Sequence, residues 1–292
     1  MSTSILRTAD AWWVATPDGA RKVDTTARTT GELLTGPLTT VGDPVPVDGL
    51  TLLSPITAPC RVIAQMTNYV SHVRDAGMNP STVPLTFFRK SSGSISGPDD
   101  DIVRPPHVRL LDYEAEIGLV IGEDNQIAGL VITNDVSARD LQLPKTQFYE
   151  SKSYPTFTPT GPVLVLLDAG EFDRFAELRL RLWVNGELRQ DMTADDMIYP
   201  PAEALRGLTR FQRLDPGDLV LTGTPVGTAL SAPPKPVEMI ASLLPAATKW
   251  RMFFKTQAKN PKYLKDGDVV EIAIATDDGK LDLGRQRTVV KV

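Results

Sequence analysis

Twenty-four prolines spread along 292 residues restrict this chain more than any other feature. A proline inside a helix removes a backbone donor and clashes with the preceding turn. A chain so punctuated is left with short elements joined by turns, and prolines settle at strand edges and turns. The apolar runs agree, because 178–184 and 269–274 both read as β-rich strands. Clear helices are few: a short one at 29–34, one at 201–208, and parts of 237–254 with Pro245 as a break. Period and composition predict an α+β fold, mainly β, with mixed but largely antiparallel sheets.

The first 55 residues read as a small β-rich unit of their own. Residues 11–15 and 21–23 flank Pro17-Asp18-Gly19, which is hairpin punctuation, and the proline-rich stretch at 42–50 places a boundary near 55. The body then runs over 56–292. No internal repeat and no glycine-rich phosphate loop is visible.

Charge and cysteine content narrow the function classes. A net charge of −5 and a pI near 5.2 argue against nucleic acid as a partner. Lys249, Arg251, Lys255, Lys259, Lys262 and Lys265 crowd around Trp250, Phe253 and Phe254. Such a cluster suits either acidic ligands and membranes or an exposed helix face beside a subunit contact. The single cysteine, Cys60, excludes an internal disulfide and reads as a small buried filler. No apolar run reaches the roughly 18 residues of a membrane span, and the N-terminus lacks a signal-peptide pattern. The expectation is a cytoplasmic enzyme with no membrane partner.

The chemistry concentrates in Asp112-Tyr113-Glu114-Ala115-Glu116, flanked by apolar runs on both sides. On a strand, side chains alternate faces, so Glu114 and Glu116 point the same way. Two neighbouring carboxylates repel unless a cation lies between them or one takes a proton. Asp135 ends a second apolar run, 130–132, closed by Thr133-Asn134. If the two strands are neighbours, three carboxylates converge. An all-oxygen set suits a hard cation, Mg²⁺ or Mn²⁺, with Ca²⁺ also accommodated. The alternative is a solvated strand face.

Several segments then resemble the fumarylacetoacetate hydrolase family. They are Asn68-Tyr69-Val70-Ser71-His72, Phe88-Arg89-Lys90, Asn134-Asp135 with the run to Gln142, and Lys152-Ser153-Tyr154-Pro155-Thr156-Phe157. Gly161-Pro162, Val184-Asn185-Gly186 and Leu221-Thr222-Gly223-Thr224-Pro225-Val226-Gly227 follow in the same order. The resemblance covers 56–228 and resumes at 263–271. It implies a mixed β-sandwich roll that dimerises.

It also implies a set of site residues. Glu114, Glu116 and Asp135 match the family's metal ligands. His72 matches a water-activating base that a glutamate three residues on holds in place; here that position is Asp75. Lys152 matches a lysine that stabilises an enolate or oxyanion, with Lys145 as a nearby competitor. Tyr69, Lys90, Arg139, Gln142 and Thr224 match positions near the substrate, and for Arg139 a structural salt bridge is an equal alternative. His107 reads as a loop residue.

The implied reaction is metal-assisted hydrolytic cleavage of a carbon–carbon bond in a 1,3-dicarbonyl acid such as an acylpyruvate or fumarylpyruvate. The same site chemistry serves 2-oxo acid decarboxylation of the oxaloacetate type, enol–keto tautomerisation and dehydration. A non-catalytic ligand-binding homologue is the reading from another class. An insertion at about 230–262 departs from the family pattern, and is expected to cap the site mouth or extend a dimer interface.

Overall fold

The computed structural model describes residues 2–168, 170–231 and 244–292. Two sheets carry the fold. The larger has ten strands in the order Thr40–Val45, Gly19–Val23, Trp12–Thr16, Thr3–Arg7, Leu164–Leu166, Ile127–Asn134, Ala115–Ile121, Leu219–Leu221, Val62–Gln65 and Phe87–Lys90. The smaller has five, in the order Glu187–Thr193, Arg179–Val184, Val269–Ala275, Asp282–Lys291 and Ile102–Val103. Most pairings are antiparallel, but Leu219–Leu221 runs parallel to Val62–Gln65, and Asp282–Lys291 parallel to Ile102–Val103. The expected mainly-β, mixed-sheet class is therefore correct.

Period-2 alternation explains how the layers stack. In the larger sheet Ile117, Leu119, Ile121, Leu130, Ile132, Ile63 and Val220 join a core shared with Leu180, Leu182, Val270, Ile272 and Leu283 of the smaller sheet. Their neighbours Val120, Val131, Val62, Ala64, Leu219 and Leu221 point to the opposite face, where Trp12, Val23 and Leu33 cover them. The larger sheet is thus buried on both sides. That is why Ala115–Ile121 is apolar at nearly every position rather than alternating. The smaller sheet is a one-faced sheet: Arg179–Val184 and Val269–Ala275 alternate buried and half-buried residues.

The first 55 residues, expected as a unit of their own, supply four strands and the helix Thr30–Leu34. Their strands continue the larger sheet through Thr3–Arg7, which pairs with Leu164–Leu166. The helix begins with a reciprocal capping box between Thr29 and Glu32. The helix expected at 201–208 is present as Pro201–Leu208, with proline at its first turn. Part of the expected insertion, residues 232–243, lies outside the described residues. Its remainder includes the helix Ala246–Gln257, which starts directly after Pro245. Phe253 and Phe254 pack on the main core, while Lys249, Arg251, Lys255 and Lys259 are exposed. Among the described residues, no helix is long and apolar enough to cross a membrane.

Candidate active site

A cavity of about 420 Å³ opens beside the central strands of the larger sheet, and Glu114, Glu116, Asp135, Arg139, Lys152 and His72 line it. Strand register brings the acids together. Ala115 pairs with Asn134 and Glu116 with Thr133, so Asp135, one residue past the strand end, arrives opposite Glu114. The Asp135 N–H donates to the Glu114 carbonyl at 2.9 Å, which locks this approach. One oxygen from each of Glu114, Glu116 and Asp135 lies within 4.8 Å of the others. All three acids are buried, so the solvated strand face is excluded.

Such a cluster needs counter-charge, and three cations supply it. Lys152 Nζ donates to Glu114 Oε2 and to Asp135 Oδ2, both at 2.6 Å. Arg139 Nε donates to Asp112 at 2.8 Å, its Nη2 to Glu114, and its Nη1 to Gln142 Oε1 at 2.8 Å. Lys90 Nζ donates to Asp135 Oδ1 and, at 2.9 Å, to the Phe157 carbonyl. Burial alone would push the Glu114 carboxyl up, but Arg139 and Lys152 outweigh it and hold Glu114 well below the usual carboxylate range. Glu116 behaves oppositely. Burial drives it well above that range, and the charges of Asp135 and Glu114 add to the effect. The two lysines also diverge. Burial lowers Lys90 despite Asp135, with Lys152 repelling it. Lys152 faces two carboxylates and is raised in spite of its burial.

The donor set fits a hard divalent cation. Glu116 forms no ion pair among the described residues; its Oε2 accepts the Gly223 N–H at 2.7 Å. It is a carboxylate crowded by two others and lacking a bonded cation, which is the condition a metal relieves. Asp112, Glu114, Glu116 and Asp135 outnumber their three cations by one. A divalent ion would leave the site net positive and receptive to an acid.

The helix Val70–Asp75 carries His72. Its start is pinned by Asp196, which accepts from Ser71 N–H at 2.9 Å, and by Asn68. The Asn68 amide donates to the Tyr199 and Thr222 carbonyls at 3.1 and 2.9 Å and accepts from Tyr199 N–H at 2.9 Å. Thr67, just before it, sits at φ 54°. That is a strained conformation for a β-branched residue, and it occurs here on the cavity wall. Burial pushes the His72 imidazole below its ordinary value, with Glu114 opposing only in part. His72 is therefore neutral at pH 7. Its Nδ1 is buried without a hydrogen-bond partner.

Several expected roles shift. Asp75 does not line the cavity and forms no hydrogen bond to His72 Nδ1, so the expected dyad is not made. Lys90 was expected to meet an acidic substrate, but it lies off the cavity wall, bonded to Asp135 and to the Phe157 carbonyl. Thr224 lines the cavity, yet its hydroxyl donates to the Ala115 carbonyl and accepts from Gln190. Tyr69 is buried off the wall with its hydroxyl unpartnered. Arg139 and Gln142 both reach the wall as a bonded pair. Sequence reasoning gave no role to Asp112, which bonds Arg139 and accepts the Ala229 and Leu230 N–H groups. Its signal was present in the same acidic pentapeptide.

Comparison with known proteins relates the chain and its fold to one family. The family model described as fumarylacetoacetate (FAA) hydrolase C-terminal matches residues 61–291. Oxaloacetate tautomerase FAHD2B, mitochondrial, from Bos taurus is 33% identical over 202 residues, 65% of this chain and 63% of that protein. The chain thus spans less than two thirds of that relative's length. The solved fumarylacetoacetate hydrolase of psychrophilic Exiguobacterium antarcticum superposes with a TM-score of 0.76 at 27% identity, covering 100% of both chains. The 5-carboxymethyl-2-hydroxymuconate delta-isomerase of Mycobacterium smegmatis gives 0.72 at 25% identity, covering 100% of this chain and 99% of that one. Because that family model runs through most of the chain, from 61 to 291, the chain belongs to the fumarylacetoacetate hydrolase family.

Proposed function

We propose that this protein catalyses enol–keto proton transfer on a 2-oxo acid. The observation that carries the reading is His72, a neutral, half-buried imidazole with its Nδ1 turned away from solvent, on the wall of a cavity whose floor is the acidic triad. It has no carboxylate holding its Nδ1. Hydrolysis of a carbon–carbon bond needs a water activated by an oriented base. Tautomerisation needs one group that takes a proton from the enol hydroxyl side and returns one to the adjacent carbon. A lone neutral histidine meets the second demand more directly. The similarity to an oxaloacetate tautomerase supports the same reading.

Glu114, Glu116 and Asp135 would hold Mg²⁺ or Mn²⁺, which supplies Lewis-acid polarisation of the oxo-acid oxygens. Lys152, charged and on the cavity wall, offers its ammonium to developing enolate charge. Arg139 keeps Glu114 ionised and oriented, and Gln142 fixes the guanidinium. The Gly223 N–H orients Glu116.

Metal-dependent hydrolysis of an acylpyruvate is the second reading. The likeness to the Exiguobacterium hydrolase favours it. The test is a stopped assay with Mg²⁺ or Mn²⁺. Faster loss of the enol absorbance of oxaloacetate or another 2-oxo acid, abolished in His72→Gln, supports the tautomerase. Release of pyruvate and a carboxylic acid from an acylpyruvate transfers the case to the hydrolase, and release of carbon dioxide from oxaloacetate to a decarboxylase.

A further inference from the structure

The cavity lining is of two kinds. Besides the ionic floor, Met66, Met78, Phe88, Leu143, Phe148 and Leu230 contribute apolar wall. None of the six is fully buried, and Met78 is 48% exposed. Apolar side chains left uncovered around a concavity are the usual lining of a small-molecule site. Phe88 and Phe148 lie with ring centroids 5.0 Å apart at 31°. Lys152 Nζ stands 5.3 Å from the Phe88 centroid, so the apolar wall begins where the ionic floor ends.

The cations decide what the wall can accept. Among the described residues lining the cavity, the charged donors are Arg139 and Lys152. Arg139 is held by floor carboxylates, and Lys152, bonded to two of them, has its remaining donor committed to the enolate of the head in the reading above. A second carboxylate, at the far end of a substrate, would leave water to lie against Met, Leu and Phe side chains without a cationic partner, which is unfavourable. An alkyl or aryl group there would bury apolar surface on both partners.

We propose that the substrate is a 2-oxo monoacid carrying an apolar, preferably aromatic, tail, and that Phe88, Phe148, Leu143 and Met78 select it. The 2-oxo acid head lies on the acidic floor and the tail runs along the Phe88–Phe148 wall. This rests on the proton-transfer reading for the identity of the head, but not for that of the tail.

The experiment compares enol–keto conversion of phenylpyruvate and of oxaloacetate with Mg²⁺, each expressed relative to its uncatalysed rate. The aromatic acid should show a kcat/KM about tenfold higher or more. Met78→Lys adds an ammonium to the half-exposed wall, and should raise the oxaloacetate value while lowering that of phenylpyruvate. An equal or higher value for oxaloacetate in the native protein overturns the tail assignment and leaves the proton-transfer reading standing. If neither acid is turned over, the proton-transfer reading fails. Calorimetric titration of both acids into the Mg²⁺-loaded protein then decides the tail. Tighter binding of phenylpyruvate supports it; equal, reversed or absent binding of the two overturns it.

Discussion

His72 and Asp75 lie on the same short helix, three residues apart, yet the imidazole Nδ1 makes no hydrogen bond to that carboxylate. The two therefore separate in their consequences. Asp75→Ala should change kcat/KM less than about threefold, since the aspartate lies off the cavity wall. His72→Gln should lower it by about a hundredfold or more, the range of a general base. Steady-state kinetics of both variants on one substrate checks the contrast. A large loss in Asp75→Ala would restore the dyad.

Lys152 stands between Glu114 and Asp135 with both bonds at 2.6 Å. Removing one partner from a buried ion pair leaves uncompensated charge, at a cost of about 3–5 kcal/mol. Lys152→Met should lose stability of that order in urea unfolding of chelator-treated protein. Added Mg²⁺ should recover part of it, because the ion supplies the missing charge. Equal stability of variant and native protein would show that the lysine is not needed to hold the acids.

Glu116→Gln should weaken Mn²⁺ binding by about tenfold or more while leaving the fold intact. The amide keeps the shape and still accepts the Gly223 N–H, but it brings no negative charge to the ion. Mn²⁺ titration followed by paramagnetic resonance reads this directly. Undiminished binding would place the metal elsewhere.

Gly223 has φ +87°, and a Cβ built there would lie 2.9 Å from Asn68 Cβ. Both the backbone and the space argue against a side chain. Gly223→Ala should cost about 1–3 kcal/mol of stability, and should also reduce activity by displacing the N–H that orients Glu116. Thermal unfolding and turnover measured together test the coupling, and a loss of stability without a loss of activity would break it.

Cys60 is half-buried and lines the same small pocket as Asp218, and burial first, then that charge, pushes its thiol up to about 12. Only the thiolate reacts with alkylating agents. Iodoacetamide labelling of the native protein at pH 8 should therefore be slow, rising as pH is raised toward the thiol's value, while the urea-unfolded chain labels quickly. Rapid labelling of the native protein would contradict the raised thiol.

Much of the site was legible because its key contacts follow from strand alternation. Glu114 and Glu116 are two residues apart and Asp135 closes the neighbouring strand, so three acids could be placed together from spacing. Helix boundaries at Thr29 and Pro201 were written in cap chemistry. What sequence did not carry were choices among equal partners. Nothing in the neighbourhood of Lys90 says that Asp135, 45 residues away, rather than a ligand, takes its charge. The shortfall at Asp75 has a similar cause, because three-residue spacing on a helix permits contact without enforcing it. The apolar wall draws on six separated positions, and no local period links them. The N-terminal hairpin was read as β, but Thr3–Arg7 was not identified and Thr40–Val45 overlaps a stretch read as a boundary; continuity with the main sheet depends on Leu164–Leu166, more than a hundred residues on.

That continuity bears on how the chain can be shortened. A form beginning at residue 61, where the family match starts, would leave Leu164–Leu166 with a row of unpaired backbone donors and acceptors. It would also uncover the apolar side chains that Trp12, Val23 and Leu33 now shield. An open β edge beside bare hydrophobic surface is a template for self-association. The N-terminal strands act in that sense as a built-in guard against aggregation, whatever else they contribute to the chemistry next door.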